Sequence, residues 1–330
     1  MLTRASIIAS LLLAALAAPN PQRNRGQTAQ QQAAKIPQGV SQAIDGSTIL
    51  DSTAQINGLN IRYKISAPAA MFKAASNVTG AQAAPGDQSS MGINVLLHGD
   101  GGQSFFDFPN QAVQQNVMGV AVLAPDPNLF WGGGSGLNRV NGAAHSKAVN
   151  DLVKNVLPNM VAFNQSQVYF TGVSGGSLLL SGYFIPTQMQ NFVNSAVLLA
   201  CGAMPPQIQF QDAQNVIQTT RIHYQSTVNE LQLLQGSIPK AVTAYEQIAT
   251  SAGMTPDQIG ALQTIDNTPQ GGHCAFDGQS FVSGVQLISN NYARIVQPGG
   301  DGNVQGIGNV LKSVVGNEQP TFGPERRQKY

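Results

Sequence analysis

Gly172-Val173-Ser174-Gly175-Gly176 is the segment of this sequence best suited to covalent chemistry. The apolar run Val168–Thr171 precedes it and Ser177–Phe184 has helical character, so the serine falls on a tight strand-to-helix turn. Such a turn needs small neighbours because it is crowded, and it lifts the serine oxygen out of the backbone as a nucleophile for acyl transfer. It also puts the Gly175 amide at a helix start, where an N–H and the helix dipole can stabilise an oxyanion. A serine nucleophile needs a base, and the chain has four histidines: His98, His145, His223 and His273. In the order nucleophile, acid, base, only His223 and His273 remain. His223 lies inside the strand expected at Arg221–Ser226, whereas His273 sits in the Gly-rich loop Pro269-Gln270-Gly271-Gly272-His273-Cys274 and is the expected base.

Five acids separate Ser174 from His273: Asp212, Glu230, Glu246, Asp257 and Asp266. Asp212 lies in a Gln-rich loop, Glu246 in a helical pattern, and Asp257 follows Thr255-Pro256 as a helix-start residue. Glu230, just after the Arg221–Ser226 strand, is the first candidate to orient His273; Asp266, ending the last strand, is the second. A second oxyanion donor is expected from His98-Gly99-Asp100-Gly101-Gly102, through the amide of Asp100 or Gly101, with the Asp100 side chain pointing away. His98 itself reads as a loop-orienting residue. Trp131, the only tryptophan, lies in the Gly-rich stretch Phe130–Gly136 and could stack on an aromatic acyl group or a sugar; packing on the core is the alternative. Phe105, Phe106 and Phe108 could line an acyl pocket or belong to the core.

The elements that must position these groups are short apolar runs alternating with helical patterns. Ile61–Ile65 alternates apolar and polar residues, while Gly92–Leu97, Gly119–Leu123 and Ser195–Ala200 are continuously apolar, as buried strands are. A weaker strand is expected at Ala261–Ile265, and helices at Lys147–Ala162, with Pro158 near its end, and at Ser280–Val296. Strands apolar on both faces and separated by helices predict one α/β domain with a mostly parallel sheet over residues 43–296. Residues 18–42 read as a flexible leader and 297–330 as a loose tail.

Composition narrows the function classes. Of 330 residues 42% are hydrophobic and 10% charged, and 17 basic residues face 16 acidic ones. That balance provides no basic surface for nucleic acid, and the apolar content is too high for a disordered chain. No Cys/His cluster has zinc-site spacing and no nucleotide fingerprint is present, so no metal or cofactor is implied. Residues 1–17 carry an early positive charge, an apolar stretch at Ser6–Leu16 and small residues at Ala15-Leu16-Ala17, the pattern of a cleaved secretory signal rather than a membrane anchor. Extracellular placement agrees with the glycosylation tripeptides at Asn77 and Asn164 and with a single Cys201–Cys274 bridge, two buried thiols being the alternative.

Leu96–Gly102 (LLHGDGG), Gln167–Gly176 (QVYFTGVSGG) and Gly271–Gly278 (GGHCAFDG) together resemble the α/β-hydrolase superfamily. Within it the similarity is to secreted esterases of the polyhydroxybutyrate depolymerase and feruloyl or acetylxylan esterase type, over Ile61–Val296. The resemblance implies a serine esterase with Ser174 as nucleophile, His273 as base, and the acid after the penultimate strand, which again selects Glu230. It implies an ester substrate, such as a cell-wall polysaccharide ester, an aromatic ester or a polyester. Asp100 and Glu230 depart from the residues usual at those places, so the second reading is a secreted protein of the same fold that binds without catalysis.

Overall fold

The chain builds its sheet from runs with little polar interruption, and the computed structural model describes residues 27–107 and 116–325. The strands are β1 (Gly39–Gln42), β2 (Thr48–Ile56), β3 (Leu59–Ala67), β4 (Gly92–Leu97), β5 (Val117–Val122), β6 (Val168–Val173), β7 (Ala196–Ala200), β8 (Arg221–Gln225), β9 (Gln263–Asp266), β10 (Asn303–Val304), β11 (Gly308–Asn309) and β12 (Lys312–Ser313). Ten form one sheet in the order β1-β2-β3-β5-β4-β6-β7-β8-β9-β12. From β5 to β9 every pairing is parallel, with antiparallel β1–β3 at one edge and antiparallel β12 at the other. β10 and β11 form a separate hairpin.

Every residue of β4, β5 and β6 is buried, as the unbroken apolar runs require of strands covered on both faces. Strand alternation sends Val95, Leu97 and Phe170 into one core and Leu96, Tyr169 and Val173 into the other. Helices cover these faces. The run expected at Lys147–Ala162 comprises Gly142–Asp151, a wider π turn at Leu152–Val156, and Leu157–Met160. A second π turn, Leu180–Phe184, likewise stands just before a proline, Pro186. A widened turn relieves the clash between a proline ring and the carbonyl four residues back.

Several elements differ from the sequence expectation. β2 was not anticipated, although Asn57-Gly58 joins it to β3 with φ of 52° and 79°, the left-handed pair a two-residue hairpin demands. The stretch expected as a flexible leader contains the helix Ala29–Ala33 and β1. Arg62 accounts for its order: buried and paired with Asp51, the guanidinium also donates to the carbonyls of Ala33 and Ile36. The tail expected to be loose adds β12 to the sheet and buries Val304, Val310 and Val314. The last helix stops at Asn290, and Tyr292–Ile295 forms a separate turn. Residues 1–26, which include the expected signal segment, lie outside the described residues, as does Phe108. No helix among the described residues is long and apolar enough to cross a membrane.

Candidate active site

β6 ends at Val173, and Ser174 turns the chain with φ 50° and ψ −110°. A non-glycine residue with this backbone is strained. The turn is held by Ser174 N–H donating to Ala200 O at 2.8 Å and by Leu178 N–H donating to Ser174 O at 3.1 Å. The flanking glycines are required by space: a Cβ at Gly172 would lie 2.5 Å from Ser177 N, and one at Gly176 2.1 Å from Leu97 O.

Ser174 Oγ is 2.9 Å from His273 Nε2 across 99 residues of chain, and His273 Nδ1 is hydrogen-bonded to Glu230 Oε1. The same carboxylate oxygen accepts from Leu231 N–H at 2.8 Å, and Glu230 is fully buried. With Glu230 accepting at Nδ1, the imidazole carries its proton there and leaves Nε2 to accept from the serine hydroxyl. The acid loop and the histidine loop are joined directly. Val228 N–H donates to Pro269 O at 2.8 Å, Thr227 Oγ1 to Gly272 O at 3.1 Å, and Asn229 Nδ2 to Gln270 O at 2.7 Å. Asp266, the second candidate acid, is elsewhere: its Oδ2 accepts from Gln225 Nε2 at 2.7 Å and its Oδ1 from Thr268 N–H at 3.1 Å.

The two amides expected as oxyanion donors lie close together beside this turn, an ideal Cβ at Gly175 falling 3.3 Å from Asp100 N. Gly175 N–H opens the helix Gly175–Leu179, and among the described residues no acceptor takes Asp100 N–H. Gly101 is corrected as the alternative donor, because its N–H is occupied by Leu129 O at 3.2 Å. His98 organises this loop, as expected. Ala124 N–H donates to its Nε2 at 2.9 Å, which fixes the proton on Nδ1, and Nδ1–H donates to Gly99 O at 2.6 Å. The expectation that the Asp100 side chain points away is corrected: it pairs with Arg139 and lies against Gly175, an ideal Cβ there falling 2.0 Å from Asp100 Oδ1.

A serine on a tight strand-to-helix turn after β6, with Glu230 after β8 and His273 after β9, on an eight-strand series β2-β3-β5-β4-β6-β7-β8-β9 with only its first pairings antiparallel, decides the fold. The chain has an α/β-hydrolase fold. No family model matches the sequence, and no curated protein matches it either. Among solved structures, a thermostable esterase is similar at 17% identity and a TM-score of 0.43, over 63% of this chain and 59% of its own. An acetyl xylan esterase from Aspergillus awamori is similar at 12% identity and 0.43, over 61% and 80%, and a ferulic acid esterase at 13% and 0.45, over 76% and 98%. Likeness at this level says nothing of substrate, and the assignment to the α/β-hydrolase fold stands on strand order and site geometry.

Trp131 and Phe105 are corrected as substrate contacts. Both are 0% exposed, so neither offers a ring face to a ligand. Trp131 packs between His98 and His145, with ring centroids 5.5 and 6.2 Å away. Phe105 lies beneath the Arg62 and Lys64 cations. The aromatic residue that does reach the site is Phe281, half-buried at the start of the helix Phe281–Asn290, its ring 5.9 Å from that of His273. Its sequence signal was an aromatic residue directly after the helix-capping Ser280, in the segment that follows the histidine loop.

Cys201 and Cys274 are bridged, with Cα atoms 5.1 Å apart. The grouping of Cys201, Cys274 and His273 therefore has no donor set for a metal, since the sulfurs are bonded to each other and the imidazole to Ser174 and Glu230. Asn77 is exposed at a left-handed corner, and Asn164 is half-buried with its Oδ1 accepting from Ser166 N–H and Ser166 Oγ.

Burial holds three histidines in their neutral form: His98, His145 and His223 each titrate at about 4 rather than near 6.5. The unfolded chain binds these protons first as pH falls. Stability is therefore fully present above about pH 6.5 and drains away as pH falls toward 4, with about two to three protons taken up on unfolding near pH 5. The melting temperature is expected to fall steeply between pH 7 and pH 4.5, and a value flat from pH 7 to 5 would contradict this assignment.

Proposed function

We propose that the protein is a secreted serine carboxylic-ester hydrolase that works without a cofactor. The observation that carries this reading is the continuous hydrogen-bonded chain from Ser174 through His273 to Glu230 at a strained strand-to-helix turn. Ser174 Oγ attacks the ester carbonyl while His273 Nε2 accepts its proton, and the same nitrogen returns the proton to the departing alcohol. Glu230 offsets the positive charge of the imidazolium. The amides of Asp100 and Gly175 hold the tetrahedral oxyanion, and water then releases the acid from the acyl-enzyme by the reverse sequence.

Phe281 beside His273 supports an acyl group with apolar or aromatic surface, within the classes of polysaccharide ester, aromatic ester and polyester. The signal pattern in residues 1–17, the Cys201–Cys274 bridge and the tripeptides at Asn77 and Asn164 support a secreted, glycosylated protein. The residues that suggested a non-catalytic binding protein both fit the hydrolase reading: Glu230 engages His273, and Asp100 is paired with Arg139.

The test is hydrolysis of a p-nitrophenyl acyl series from acetate to decanoate, with fluorophosphonate labelling in parallel and a Ser174→Ala variant as control. Turnover and labelling that both disappear with Ser174 are expected, the optimum chain length giving the depth of the acyl site. Wild-type protein that neither turns over any ester nor takes the probe overturns the reading.

A further inference from the structure

The oxyanion position has an anion beside it. Asp100 supplies one of the two stabilising amides, yet its carboxylate rests on the same turn: a Cβ at Gly175 would come within 2.0 Å of Asp100 Oδ1 and 3.3 Å of Asp100 N. Negative charge that develops in the transition state at this place would be repelled by an uncompensated carboxylate, and more strongly in a site that excludes water.

Arg139 provides the counter-charge. Its Nη1 donates to Oδ1 and its Nη2 to Oδ2, each at 2.7 Å, a two-pronged contact that fixes the plane of the carboxylate. The guanidinium side chain is 2% exposed and the carboxylate side chain 26%, so the cation is the buried member of the pair and the carboxylate the partly exposed one. A further donation from Nη1 to Trp131 O at 3.1 Å locks the guanidinium from the core side. The Gly-rich turn is built around this side chain, because a Cβ at Gly132, whose φ is 78°, would lie 2.8 Å from Arg139 Cβ. Together these contacts fix both the charge and the position of residue 100.

We propose that Arg139 is a positioning residue of the oxyanion hole: by clamping and neutralising the Asp100 carboxylate it keeps the Asp100 amide aimed at the oxyanion and keeps the adjacent negative charge from opposing it. The proposal rests on the ester-hydrolase reading above and adds to it a residue that never touches the substrate.

The experiment is a double-mutant cycle on p-nitrophenyl ester hydrolysis. Arg139→Gln is expected to lower kcat about 100-fold, the size of losing one oxyanion donor, with KM within about threefold of wild type. In an Asp100→Asn background there is no carboxylate left to strand, so the same Arg139→Gln change is expected to cost less than about tenfold. A purely structural arginine would cost the same in both backgrounds, and that result overturns the proposal, as does an Arg139→Gln variant with unchanged kcat. If Arg139→Gln does not fold, Arg139→Lys with and without Asp100→Asn completes the cycle, and a loss undiminished by Asp100→Asn again overturns it. Wild-type protein inert to esters and to the fluorophosphonate probe removes the hydrolase reading and this proposal together, whereas an active wild type with additive losses removes this proposal alone.

Discussion

Alanine at Ser174, alanine at His273, or both together are expected to lower kcat on a carboxylic ester by nearly the same factor, about 10⁶-fold, because the two groups act on one proton and losing either disables the step. Their geometry sets this expectation, with Oγ and Nε2 2.9 Å apart and the imidazole already oriented by Glu230. Glu230→Gln is expected to cost about 10⁴-fold. A carboxamide fails in either orientation. With its oxygen toward His273 the negative charge is gone and a buried NH₂ occupies the place of Oε2, an atom with no hydrogen-bond partner among the described residues. With its NH₂ toward His273 it opposes Nδ1–H and Leu231 N–H, which both donate to Oε1 in the wild type. Asp266→Asn, by contrast, alters the contact with Gln225 and is expected to leave kcat within about tenfold of wild type. Steady-state kinetics on variants with wild-type melting curves check both statements, and a greater loss from Asp266→Asn than from Glu230→Gln would reverse the acid assignment.

The choice between these two acids shows how far the sequence could be read. Ser174 was legible because its turn needs glycine at fixed positions, and Gly172 and Gly176 have no room for a Cβ. Glu230 was legible only through its place after a strand, since nothing local in Val228–Leu231 marks a carboxylate that reaches residue 273. The central strands were legible because burial on both faces leaves continuous apolar runs. β1 and β12 were not: β1 is exposed along its whole length, and β12 is two residues long, so neither carries a hydrophobic pattern. β2 escaped the reading although Asn57-Gly58, the hairpin signal that directly follows it and joins it to β3, marks its end. Trp131 could be read two ways, as a substrate contact or as packed on the core, and the second holds: the indole is fully buried, and the glycines at 132, 133, 134 and 136 that made it look exposed take left-handed φ values within the turn. Arg139 was beyond sequence reasoning for a related reason: its partner is 39 residues away, and only the fold makes the pair.

The Cys201–Cys274 bridge lies where stability and catalysis meet. Cys274 directly follows the histidine, Cys201 directly follows β7, and both sit in left-handed backbone, with φ of 58° and 49°. Cys201 N–H also donates to Gln225 O at 2.7 Å, which ties the bridge to the end of the strand that leads to Glu230. The closed loop spans 73 residues and contains β8, the acid loop, the helix Gln232–Ser251 and β9. Opening it restores chain entropy to the unfolded state, so the Cys201→Ala/Cys274→Ala variant is expected to lose about 4 to 5 kcal/mol. At roughly 2 to 4 °C per kcal/mol for a domain of this size class, the melting temperature should fall by about 10 °C or more. The remaining hydrogen bonds between the acid and histidine loops keep the triad assembled, but His273 loses the covalent restraint on its neighbour, so kcat is expected to fall more than KM rises. Thiol titration of the denatured, unreduced protein should find no reactive sulfur, and two titratable thiols or a double variant that melts within about 2 °C of wild type would remove the bridge from this account.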